Sequence, residues 1–151
     1  MTSLVRRFLK TAILFLAAGL AIGGWMIVER ELRGRQPSSY ITSAHTHAIL
    51  VGFVMMMILG VAQWMFPRPA KDDTRYSPGL AEAAYWVLTV ATAVRVGGEV
   101  LHARVDATWL RWTIVIAGLA QIAGLLIFFA NMWPRIRGVG SQARERNGER
   151  F

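Results

Sequence analysis

Four apolar runs of about twenty residues each, separated by short polar stretches, constrain this chain more than any other feature. They cover about residues 8–28, 44–66, 78–103 and 107–133. A helix of ~20 residues crosses a ~30 Å hydrocarbon core, so each run is long enough to span a bilayer. The expected fold is all-α: an integral membrane four-helix bundle over residues 1–137, followed by a polar basic tail over 138–151. Hydrophobic residues make up 54% of the 151, and they are concentrated in these runs. That distribution excludes a disordered chain, a disulfide scaffold and an ordinary soluble enzyme. The chain has no cysteine, which removes iron–sulfur clusters, thiolate zinc sites and cysteine nucleophiles.

Local signals agree with these boundaries. Ser43 is placed to cap the second helix, Ser77 the third, with Pro78 at its first position, and Asp106 the fourth. Pro67 and Pro134 follow the second and fourth runs, where they cannot continue a helix. The net charge of +8 looks at first like a nucleic-acid signal. Its position at the segment ends argues for membrane topology and against a nucleic-acid partner. Alternating crossings place Arg6, Arg7, Lys10, Arg68, Lys71, Arg75, Arg135, Arg137, Arg144, Arg146 and Arg150 on one side. Arg30, Arg33, Arg35, Arg104 and Arg111 fall on the other, and Arg95 lies within the third run. The positive-inside rule then puts both termini in the cytoplasm, in a multi-pass protein of the cell inner membrane. Trp25, Trp64, Trp109, Trp112 and Trp133 lie near segment ends, as an interfacial belt requires. The basic start resembles a signal peptide, but the apolar run is long and has no convincing A-x-A site, so an uncleaved helix is expected.

Only three histidines are available for chemistry: His45, His47 and His102. His45 and His47 open the second helix and His102 closes the third, so antiparallel neighbours bring them to one depth near the outer face. At 3.6 residues per turn, Gly52, Met56 and Gln63 lie almost below His45, with Gly60 nearby. This small, polar stripe should face the bundle. His47 stands above Val51, Val54, Ile58, Val61 and Met65, an aliphatic stripe that should face lipid or another subunit. His45 is therefore the better interior ligand. Below His102 run Gly98, Arg95, Ala91, Leu88 and Ala84, with Glu99 at the margin. Gly52 and Gly98 would let a flat ring approach the backbone, and helix bundles build cofactor sites from facing side chains.

Arg95 and Glu99 are costly inside a bilayer and should face the interior with a partner. Four positions apart, they can pair on one helix face. Arg95, about 10 Å deeper than His102, can alternatively meet an anionic group such as a propionate. Glu99 can orient His102 or relay protons. Gly19 and Gly23 form a GxxxG suited to close helix packing, and Gln121, flanked by Gly118 and Gly124, should hydrogen-bond within the bundle.

The stretch Ser43-Ala44-His45-Thr46-His47-Ala48-Ile49-Leu50-Val51-Gly52-Phe53, continuing to Phe66-Pro67-Arg68, resembles the second helix of the heme-copper oxidase superfamily. The similarity is closest to nitric oxide reductases and C-family oxidases and covers about 25 residues. It implies that His45 is an axial ligand of a low-spin heme b; His47 stands where the family usually has asparagine and inherits no such role. The family's catalytic subunit has about twelve helices and several further histidines, so oxygen or nitric oxide reduction is not expected of this chain alone. If a six-coordinate heme forms, His102 must replace the partner ligand that the family takes from a late helix.

The leading expectation is a small membrane heme b protein for electron transfer or heme-based sensing, with His45 and His102 as axial pair, Gly52, Gly98, Arg95 and Glu99 around the cofactor, and His47 a weaker metal-ligand candidate. A bis-histidine iron leaves no open position and suits outer-sphere electron transfer. Two alternatives stay open. One is a five-coordinate heme, or the three histidines binding copper or zinc. The other is a structural subunit of a larger respiratory complex, or a homo-oligomer, docked through the aliphatic stripe of His47.

Overall fold

The computed structural model describes residues 2–67 and 76–136; the tail expected over 138–151 lies outside them. The described residues are helical, without strands, and four of the helices are long and apolar enough to cross a membrane. They are α1 (Ser3–Arg33), α2 (Ser39–Met65), α3 (Pro78–His102) and α4 (Thr108–Met132). A 3-10 turn, Trp133–Arg135, follows α4. The first helix is longer at both ends than its apolar run, because Thr2 caps its start and Gly34, at φ 62°, takes the left-handed conformation that ends it.

Two caps differ from expectation. Ser38, not Ser43, accepts from the Ile41 N–H, so α2 begins one turn earlier and Ser43 lies inside it. Ala107 precedes α4 without a side-chain cap, because the Asp106 carboxylate accepts two bonds from Arg111 at 2.8 and 3.1 Å. Both Asp106 oxygens accept from one Arg111 nitrogen, Nη2, in a charge-assisted contact at the exposed helix start. Ser77 caps α3 ahead of Pro78, as expected.

Within α2 the stretch Ala48–Met55 is π-helical. Its wider turn carries extra residues and rotates the faces on either side relative to each other. Gly52 packs under Phe15 and Gly60 under Phe8 and Leu9, so both meet α1 although eight residues separate them. A regular α-helix would leave two such positions about 80° apart. The π-segment absorbs most of that difference.

One core joins all four helices near the end of the bundle that holds both termini. Phe8 and Ala12 of α1, Met56 and Leu59 of α2, Ala84, Tyr85 and Leu88 of α3, and Phe128 and Met132 of α4 are buried together. Phe8 meets Tyr85 and Phe128 edge-on, with ring centroids 5.0 and 5.8 Å apart. The Tyr85 and Thr11 hydroxyls share a hydrogen bond of 2.8 Å. At this end Arg135 is also buried. It donates to the carbonyls of Gln63 (3.0 Å), Phe66 (2.9 Å) and Pro67 (3.0 Å), and to Gln63 Oε1 (2.9 Å). It thus caps the free carbonyls that end α2, where a cation is favoured by the helix dipole. The five interfacial tryptophans are exposed.

Candidate functional site

The three histidines face three different neighbours. His45 lies against α1: its Nδ1 is 2.9 Å from the Gly19 carbonyl oxygen. A carbonyl only accepts, so Nδ1 carries the hydrogen and donates. Nε2 is left as the nitrogen with a free lone pair. A backbone-bound Nδ1–H with a free Nε2 is the usual arrangement of a metal-ligating imidazole. The ring rests on Gly23, where a Cβ would stand 2.8 Å from Cε1. The Gly19–Gly23 pair is therefore an internal contact: Gly19 admits Ile49 of α2, and Gly23 seats the imidazole.

His45 also lines a cavity of about 620 Å³ between α1 and the start of α2. Gly23, Gly24, Met26 and Arg30 of α1 and Thr42 of α2 share this lining with Leu20, Ile27, Gln36 and Pro37. Binding pockets for sizeable organic ligands and cofactors span ~300–1,000 Å³ and are mostly apolar with a few placed polar groups. The residues present fit a heme: a neutral imidazole with its tautomer set, two glycines that leave space beside it, apolar walls, and a guanidinium that suits a carboxylate.

His102 is buried elsewhere. Its ring stacks on Tyr40, with centroids 4.3 Å apart and planes 16° from parallel. Neither ring nitrogen has a hydrogen-bond partner, and Nε2 is 3.8 Å from Asp106 Oδ1. It is not among the described residues that line the cavity at His45. The structure therefore gives both histidines buried or half-buried positions, but does not place the two rings on one cavity.

His47 does not face outward. Val54, Ile58 and Met65, lower on the aliphatic stripe, are exposed. His47 itself turns toward α3, with Nδ1 donating to the Ser43 carbonyl at 2.8 Å and lying 3.4 Å from Glu99 Oε2. The helical wheel that assigned its face runs through the π-segment, where 3.6 residues per turn does not hold.

Arg95 and Glu99 pair on one face of α3, as their spacing suggests, with Nε 3.2 Å from Oε1. Glu99 is only 2% exposed and also accepts from the Ser43 hydroxyl at 2.8 Å. Ser43 and Arg95 both donate to its Oε1, while Oε2 has no hydrogen-bond partner and lies 3.4 Å from His47 Nδ1; His102 is not a partner. Arg95 continues to Gln121 Oε1 of α4 at 3.0 Å, and Gln121 donates to Thr92 at 3.0 Å. Gly118 makes room for the guanidinium, since a Cβ there would stand 2.8 Å from Nη1. This polar cluster joins α2, α3 and α4, on other helices than the α1 wall of the His45 cavity. Gly52 and Gly98 are closed over by Phe15 and by Ile114 respectively, and neither lines that cavity.

Sequence reasoning did not find Tyr40, Gly23 as the seat of His45, or the carbonyl of Gly19. The GxxxG was the available signal for the glycines. Among the described residues no group of three or more histidine, aspartate or glutamate side chains is placed to hold a metal ion. The model of one protein family, cytochrome c and quinol oxidase polypeptide I, matches residues 3–145. No curated protein and no solved structure matches the chain.

Proposed function

The chain belongs to the cytochrome c and quinol oxidase polypeptide I family, and from that premise we propose that it is a small membrane heme b protein for electron transfer or heme-based sensing. The observation that carries this reading is His45, with Nδ1–H held by Gly19 and Nε2 free beside a cavity large enough for a heme. Bound there, heme would supply a one-electron centre. His45 would ligate through Nε2, Gly23 would keep its ring in place, and Arg30 would meet a propionate. His102, the other axial ligand expected from the sequence, would first have to leave its stack on Tyr40. Arg30 lines the cavity, with its Nε paired to Glu31 at 2.6 Å, whereas Arg95 lies in the polar cluster with Glu99 and Gln121, so Arg30 is the cation within reach of the cofactor.

The test is the optical spectrum of the purified protein expressed with heme supply. A reduced α band typical of heme b, in stoichiometric amount, is expected. A protein without bound heme under those conditions overturns the reading, and a metal-dependent copper spectrum would replace it with the copper alternative.

The orientation rests on the charge count, eleven basic residues on one side against five on the other. Both termini are proposed to be cytoplasmic, with the His45 cavity near the outer surface. The chain contains no cysteine, so single replacements report cleanly. Ser38→Cys should react with an impermeant thiol reagent from outside and Ser141→Cys should not. The reverse pattern would invert the protein in the membrane and move the cavity to the cytoplasmic side.

A further inference from the structure

Gly19, Gly23, Met26 and Arg30 follow one another on α1 at steps of four, three and four, which puts them on one helix face. Gly19 and Gly23 prove that this face meets α2, because one holds and the other seats His45. Met26 comes one turn further on, about 4.5 Å along the axis from Gly23. It lines the same cavity as His45. Methionine in an apolar helix is ordinarily a filler of gaps. Here the residue is half-buried and lines the cavity. Among the described residues of that lining, His45 and Met26 are the two with a nitrogen or sulfur donor suited to iron.

We propose that the Met26 thioether is the second axial ligand of the heme bound by His45. The proposal rests on the heme reading above and deepens it. His45 can give the iron one nitrogen only, since Nδ1 is committed to Gly19. Within the cavity the remaining donor is Met26, because His102 lies in its stack on Tyr40. An imidazole–thioether pair fills both axial positions, leaves no site for an exogenous ligand, and raises the reduction potential relative to two imidazoles. The chain's own residues then divide the work along the α1 face: Gly19 sets the tautomer, Gly23 seats the ring, Met26 ligates and Arg30 holds a carboxylate.

The experiment uses the full chain in detergent or lipid nanodiscs, loaded with heme b, and reads spectra, carbon monoxide binding and midpoint potential. The wild type should be low-spin, unaffected by carbon monoxide, and should show a thioether-to-iron charge-transfer band in the ferric state. Met26→Leu should keep heme on His45, lose that band, turn high-spin and bind carbon monoxide. Met26→His should restore the low-spin state and exclude carbon monoxide again, without the band and at a lower potential than the wild type. The proposal is overturned if Met26→Leu keeps the wild-type spectrum and potential, or if His102→Ala is the variant that opens the iron to carbon monoxide. Those outcomes leave the heme reading standing. Unchanged heme in His45→Ala would instead overturn the cavity as the heme site, and the Met26 ligand with it.

Discussion

A His45→Ala protein should fold into the same bundle and lose its heme. The imidazole lies between α1 and α2 at the edge of a cavity, apart from the core that joins all four helices. Its removal takes away one hydrogen bond, to Gly19, and the proposed iron ligand. The Gly19 carbonyl is already part of α1, so the structural cost of the lost bond is about 1 kcal/mol. The loss of heme should be nearly complete, measured as the ratio of heme to protein after purification. Gly23 offers an independent arm that leaves the ligand chemically intact. A Cβ at Gly23 would stand 2.8 Å from His45 Cε1, closer than side-chain contacts come, and the ring would have to move. Displacing an imidazole from its supporting shell lowers affinity roughly 10–100-fold. Gly23→Ala should therefore weaken heme binding by that order, and Gly23→Leu should abolish it. Full wild-type heme content in His45→Ala and Gly23→Leu would remove this cavity from consideration as the site.

The second large effect belongs to the polar cluster. Glu99→Leu should destabilise the protein by about 3–5 kcal/mol, the range found when one partner of a buried ion pair is removed. Glu99 is 2% exposed and accepts from both Ser43 and Arg95, so its loss leaves a guanidinium in the bundle without a counter-charge. Arg95→Leu should have a similar effect, because it leaves the carboxylate with one hydroxyl and a histidine. The double variant Arg95→Leu/Glu99→Leu should be much less destabilised than the sum, since apolar replacement of a whole buried pair is often close to neutral. Gln121 still has Thr92 as a partner in that variant. Unfolding free energies for the four proteins give the coupling directly. Strict additivity would show that the two charges are held independently, for example by water or lipid headgroups, and that the pair contributes nothing to the fold.

The spans, the cap at Ser77 and the Arg95–Glu99 pair were legible in the amino-acid sequence because each depends on neighbours within one helix. Span length is a count of apolar residues, a cap is a contact over three positions, and an i,i+4 pair needs only helical rise and twist. The resemblance around His45 pointed to the same family that the whole chain matches. The caps at Ser43 and Asp106 were misplaced for a different reason. Ser43 found Glu99 on α3 and Asp106 found Arg111, partners that a local motif does not reveal.

What the sequence determined by itself is the membrane fold: four apolar segments whose backbone bonds must close within each helix. Which neighbour each histidine meets was decided by the tertiary structure. The π-helical turn at Ala48–Met55 breaks the 3.6-residue period and changes which side chains share a face of α2. The missing side chains at Gly19 and Gly23 let α1 come close enough to hold His45, while Tyr40 takes up His102 and Glu99 turns His47 inward. Each of these contacts lies between helices, and helical periodicity carries no information about the distance or rotation at which two helices pack.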